Sequence, residues 1–249
     1  MFSDLLLPTV ITAILIFLMS ASFMANDLIT FSRNKFVSVM AAQHVSDTAL
    51  IIDPGHGGAD GGAVSVTGGK ESVLNLQIGK KSELIAAFFG IDTILTRDSE
   101  EIYYPETTET IHDKKVFDTN SRVELINNTS NAVLISIHQN YFDNSSVSGA
   151  QIFYRDVADS LGLAEFISSN LNLITSKVRA PQQISDSIYI FKKISCPAIL
   201  IECGFISNPS ENTLLNSNTY QNKIAIAVIT GYLQYENRLT QTVGGTYES

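Results

Sequence analysis

Four side chains have types and positions that could do hydrolytic chemistry: His56, Glu71, His138 and Glu202. His56 stands in the glycine-rich stretch "IIDPGHGGADGGAV" (51–64), His138 closes "AVLISIH" (132–138), and Glu202 comes near the end of "PAILIEC" (197–203). Each of these segments holds an apolar, strand-like run. In an open α/β sheet, sites form beyond the carboxyl ends of the strands. Singly, each residue has a plainer reading: a lone histidine is more often structural, and a glutamate closing a strand can be an ion-pair partner. Convergence on one sheet edge points instead to metal-assisted hydrolysis. A catalytic zinc takes three protein ligands, imidazole nitrogens and carboxylate oxygens among them, and keeps its fourth position for water. Glu71 is the best third ligand beside the two histidines, because "GGKES" (68–72) brings the chain back at the start of a long helix. The intervening glycines let that loop fold so that both ends reach one ion. Glu202 is then free to act as general base on a water whose pKa zinc lowers to about 7.

A glycine-rich turn after a strand could also cradle phosphate. "GHGGADGG" (55–62) is neither G-x-G-x-x-G nor G-x-x-x-x-G-K-[ST], and no lysine or hydroxyl follows in the required place. The other two histidines, His44 and His112, fall in a linker and a long polar loop and read as solvated.

The elements that must position these residues alternate. "ALIIDPG" (49–55) ends in a turn signal and reads as a strand. A helix follows over 71–90, marked by Leu74, Ile78, Ile85 and Phe88 and stopped at Gly90. "IDTILTR" (91–97) reads as a strand, 99–115 as a loop, and "DTNSRVELINN" (118–128) as a helix opened by capping residues. Strands at 132–138 and 150–155 precede a helix from 157 to about 177, with Leu161, Ala164, Phe166, Leu171 and Ile174 as its apolar marks. "SIYIFKK" (187–193) reads as a short strand or a turn, 197–203 as a strand, and 218–237 as a closing helix. The pattern predicts an α/β fold: a mostly parallel, mixed sheet flanked by helices in a single catalytic domain over 48–238, with a flexible tail at 239–249.

Bulk properties narrow the partners. The 249 residues are 45% hydrophobic, enough for a core, and the formal net charge is −9. No Lys/Arg cluster stands out, which argues against nucleic acid. Cys196 and Cys203 lie on one predicted strand. At about 3.3 Å per residue they stand roughly 23 Å apart, beyond the roughly 7 Å reach of a disulfide, so free thiols are expected. Residues 5–25 form an uncharged run of the length that crosses a bilayer, about 20 residues. This predicts a membrane anchor or uncleaved signal over 1–25, an N-terminal transmembrane segment behind which the catalytic domain follows, with a linker over 26–47. Arg33 and Lys35 would weakly favour a cytoplasmic domain.

The segments "IIDPGHGGADGGAV", "GGKES" with "NLQIGKK", "LISIHQN" and "PAILIECGFISNPSE", in that order, resemble the zinc-dependent N-acetylmuramoyl-L-alanine amidases of the amidase 3 type, from about residue 50 to 236. "DKKVFDTNSRVELIN", "SGAQIFY" and "ECGFISNPSEN" are most similar to the sporulation branch, the spore-cortex and germination-specific amidases. The resemblance implies one zinc ion on His56, Glu71 and His138, with Glu202 as the catalytic glutamate. It implies cleavage of the amide between N-acetylmuramic acid and L-alanine, on a peptidoglycan strand carrying stem peptides. For the spore branch it implies a part in forming muramic δ-lactam, alongside a muramic acid deacetylase. A vegetative autolysin and a non-catalytic wall-binding relative are the alternatives. Such a substrate lies outside the cytoplasmic membrane, which places the domain there and overrules the charge bias. Many members carry lysine after the zinc glutamate, where Ser72 stands here. Arg122 and Arg179 are candidates for meeting stem-peptide carboxylates or for structural ion pairs; Asn140 is a candidate for lining the site or capping the next turn.

Overall fold

The strand-forming runs are rich in Ile, Leu and Val, and nearly every one of their residues is buried, as expected of strands covered on both faces. The structure, a computed structural model, describes residues 48–244 apart from 158, 176 and 186. The expected anchor and linker lie outside the described residues. Among the described residues no helix is long and apolar enough to cross a membrane.

Six strands form one sheet: β1 (Ala49–Pro54), β2 (Thr93–Leu95), β3 (Ala132–Asn140), β4 (Gln151–Tyr154), β5 (Gln182–Gln183) and β6 (Ala198–Phe205), in the order β2-β1-β3-β6-β4-β5. β2, β1, β3 and β6 run parallel; β4 is antiparallel to β6 and carries β5 parallel to itself. The reversal has a simple cause. Only the short stretch 141–150 joins β3 to β4, too little for the crossover that a parallel return needs, so β4 starts where β3 ended and runs back. The sheet is mixed and mostly parallel, as the alternation predicts.

Among the described residues six helices accompany it: α1 (Glu71–Phe88), α2 (Ile111–Asn128), α3 (Ser160–Leu171), α4 (Tyr189–Lys193), α5 (Pro209–Leu215) and α6 (Asn218–Gly244). Side-chain alternation along the strands divides the core into two layers. Leu50, Ile52, Ile135 and Ile201 belong to the layer shared with α1, α3 and α6, whereas Ile51, Leu134 and Leu200 belong to the layer shared with α2 and α4.

Several elements differ from expectation. α2 begins at Ile111 rather than 118, because Thr110 and Asp113 form a capping box: the Asp113 N–H donates to Thr110 Oγ1 and the Thr110 N–H to Asp113 Oδ2. His112 is therefore exposed on a helix, not in a loop. Residues 189–193 form the short helix α4, neither strand nor turn. α3 is shorter than the 157–177 span, and Leu161 and Phe88, read as apolar marks, face solvent. α6 continues to Gly244, so 239–244 are helical; 245–249 lie outside the described residues. Cys203 is buried and Cys196 half-buried, and both are free.

Candidate metal centre

The first histidine sits where β1 ends, and its backbone is unusual: His56 has φ +62°, a left-handed conformation that costs a side-chain-bearing residue about 1–2 kcal/mol. Two buried arginines hold this segment. Arg97 donates to the carbonyls of Pro54 and Gly55, and Arg122 donates to those of Pro54 and His56. Arg122 is itself fixed by Asp53, at 2.8 Å, and by Asp118, one turn earlier on α2. Asp53 is buried. Burial alone would raise its pKa, but the Arg122 guanidinium and the hydroxyls of Ser136 and Thr96 outweigh it and lower it to about 2. Of the two readings for Arg122, the structural ion pair is the one observed. Arg179 donates to the Gly149 carbonyl and lies over the Phe205 ring. Asn140 joins the strand ladder, its carbonyl accepting from the Ile206 N–H.

His138 lies on β3 in register with Glu202 on β6, so both side chains leave the same face of the sheet on strands about 4.8 Å apart. The Nε2 edge of the His138 ring rests against Gly55, where any Cβ would overlap it. That contact explains the glycine before His56 and turns His138 Nδ1 towards α1. Glu71 is the first residue of α1 and is 3% exposed. Its Oε1 lies 3.1 Å from His138 Nδ1 and its Oε2 3.3 Å from His56 Nε2. The carboxylate also accepts from the Ala63 and Gln139 N–H groups and from the Asn75 amide. Burial opposes ionisation of Glu71, yet the His138 and His56 contacts hold its pKa well below the usual carboxylate range. His56 Nδ1 lies 2.9 Å from Asp60 Oδ2. A carboxylate only accepts, so Nδ1 carries the proton and Nε2 faces Glu71. Burial would lower the His56 pKa; Asp60 and Glu71 outweigh it and raise it to about 9.

One ligand atom from each of His56, Glu71 and His138 lies within 4.8 Å of the other two. The contacts at 3.1 and 3.3 Å run to different oxygens of Glu71, so its carboxylate lies between the two imidazoles. Two imidazoles and a carboxylate are a donor set that zinc accepts, so these residues could hold one. Glu202 stands beside them and, among the described residues, its buried Oε2 has no hydrogen-bond partner. Burial, reinforced by Glu71 and opposed by His138, pushes its pKa up to about 7. A buried carboxylate with a free oxygen and a pKa near neutrality is suited to taking up and returning a proton.

The profile of the N-acetylmuramoyl-L-alanine amidases matches residues 50–234, most of the chain. The chain belongs to this amidase family. The amidase is 36% identical over 194 residues to the germination-specific N-acetylmuramoyl-L-alanine amidase of Bacillus subtilis, covering 77% of this chain and 81% of that one. Among solved structures, the CwlD amidase of Clostridioides difficile, in complex with the GerS lipoprotein, matches with a TM-score of 0.71 at 34% identity over 76% of this chain and 98% of that one. AmiC2 of Nostoc punctiforme, an N-acetylmuramoyl-L-alanine amidase, matches with a TM-score of 0.65 at 30% identity, over 76% and 97%. The amidase is therefore a hydrolase of the bond between N-acetylmuramic acid and L-alanine in peptidoglycan.

Sequence reasoning named the three residues that cluster here, with Glu202 in register beside His138 on the neighbouring strand. It missed Asp60, Asn75 and Arg97. Asp60 carried a signal, four residues after His56 in the same loop; Arg97 carried none, since only the fold places it beneath the Pro54 and Gly55 carbonyls. Ser72, the departure from the family pattern, is buried; its hydroxyl donates to Glu100 and its carbonyl accepts from Arg97.

Proposed function

We propose that His56, Glu71 and His138 hold one zinc ion and that Glu202 is the catalytic acid–base, in an amidase serving the spore cortex from outside the cytoplasmic membrane. The observation that carries the site is the unpartnered, buried Glu202 Oε2 beside a tight His–Glu–His cluster. When bound, zinc would supply Lewis acidity towards the amide carbonyl and make water acidic enough to attack at neutral pH. Glu202 takes the proton from the attacking water as the new C–O bond forms. It returns that proton to the nitrogen of L-alanine as the C–N bond breaks, so the amine leaves neutral and the lactyl carboxyl stays on the glycan. Asp60 keeps the His56 proton on Nδ1, and Asn75 and the Gln139 N–H hold Glu71 in place.

The test is digestion of purified peptidoglycan, with and without chelator, read by mass spectrometry for new L-alanine amino termini. Glu202→Gln should keep its zinc and lose turnover by about 100-fold or more; near-normal release of stem peptides by this variant would sink the assignment. The cortex role rests on the likeness to the germination-specific relative. It predicts that a strain lacking the gene makes cortex without muramic δ-lactam, as would one lacking the partner deacetylase; δ-lactam at ordinary levels would favour a vegetative role. The uncharged run at 5–25 supports a membrane anchor, and the peptidoglycan substrate supports a domain on the outer side. A protease added to intact protoplasts should then digest the domain.

A further inference from the structure

Two side chains on one face of α2 reach the first histidine by different routes. Arg122 Nη2 donates to the His56 carbonyl at 2.6 Å. Two turns earlier, Lys115 Nζ lies 3.0 Å from Asp60 Oδ2, the same oxygen that receives the His56 Nδ1 proton at 2.9 Å. Asp60 Oδ1 accepts from the Gly62 N–H, so the carboxylate is fixed at both oxygens. Residues seven apart lie on one side of a helix, and Asp118 between them pairs with Arg122 on that side. α2 thus grips both the backbone and the ring of a residue whose positive φ would otherwise relax.

We propose that Asp60 and Lys115 are positioning residues for the metal: Asp60 orients the His56 ring and fixes its tautomer, and Lys115 holds Asp60 in place. This rests on the zinc reading of the site. Among the described residues Asp60 is the side chain that meets Nδ1, and through it Lys115 reaches the ring. A carboxylate behind a zinc-bound histidine typically contributes 10- to 100-fold in metal affinity. Lys115 is half exposed, so its share is smaller and should fall with salt.

The experiment is zinc affinity of the full-length protein by competition with a chromophoric chelator, together with the visible spectrum of the cobalt(II)-substituted form. Asp60→Asn should weaken zinc by about 10-fold and Asp60→Ala by up to about 100-fold, with a changed cobalt spectrum. Lys115→Met should weaken zinc by a few-fold, and Lys115→Arg should restore it. Because Lys115 is on the surface, its variants keep the test open if the Asp60 variants fold poorly. Asp60→Asn binding zinc as tightly as the wild type with an unchanged spectrum, or Lys115→Met indistinguishable from wild type at low salt, would overturn the proposal. A wild type that takes up no zinc would overturn the metal reading beneath it, and the same titration separates the two failures.

Discussion

At Gly55 an added Cβ would overlap the Nε2 edge of the His138 ring, and at Gly62, where φ is +67°, it would lie 2.5 Å from Glu71 Oε2. The glycines of the loop are thus needed for close approach to the candidate ligands as well as for bending. Gly55→Ala must push His138 away, and a displacement of about 1 Å can cost about 100-fold in rate. Zinc content below one per chain, with turnover reduced to that degree, is the expected result. Asp53 tests the layer beneath. Asp53→Asn leaves the buried Arg122 with Asp118 as its remaining anionic partner, so the cost should lie at or below the low end of the about 3–5 kcal/mol typical of a broken buried pair. The pH dependence follows from the depressed pKa. Between about 4 and about 2 the unfolded chain binds the Asp53 proton more readily than the folded one. The contribution of the ionised group is therefore complete above the ordinary value of 3.8 and is lost as pH falls through about 2. Urea unfolding should show the gap between wild type and Asp53→Asn narrowing by about 2 kcal/mol across that window; a constant gap would contradict the assigned pairing.

α2 is the element on which sequence and structure diverge most usefully. Its second half carried recognisable capping and apolar signals, while its first turns, with His112, Asp113, Lys114 and Lys115 after a Thr- and Glu-rich stretch, read as loop. The capping box at Thr110 and Asp113 was present but preceded no apolar run, because this face packs on polar groups: Lys115 on Asp60, Asp118 on Arg122, Arg122 on Asp53. Periodicity finds helices that bury hydrocarbon, and it is silent about helices that bury ion pairs. The strands that carry or lead to His138 and His56 were legible for the opposite reason, since hydrophobic runs with a histidine at or just beyond their end are conspicuous. Thr110→Ala should remove the cap at a cost of about 1 kcal/mol, read as a lower unfolding midpoint and faster amide exchange in the first turn of α2. Unchanged exchange there would mean that the box does not hold the helix start.

At the scale of the molecule, the sheet separates two jobs. On one side α1, α3 and α6 pack a large apolar layer; on the other, α2 grips the His56 segment. The mainly apolar side can then be weakened without loosening the metal centre, provided Glu71 stays fixed at the start of α1. Its partners, Ala63, Asn75 and Gln139, belong to the loop, the first turn of α1 and the sheet edge, not to α3 or α6. Gly231 on α6 supplies the test. A Cβ there would sit 2.7 Å from the Cα of Ile167 and 2.9 Å from its backbone nitrogen, so Gly231→Ala forces α3 and α6 apart. Overpacking of this kind costs about 1–3 kcal/mol, a few degrees of melting temperature for a domain this size. Zinc affinity should stay within about twofold of wild type, the roughly 0.4 kcal/mol scale at which distant sites remain independent. If Gly231→Ala lost zinc in step with stability, the two faces would be coupled through the sheet, and the hold of α2 on His56 would be insufficient to keep the centre assembled.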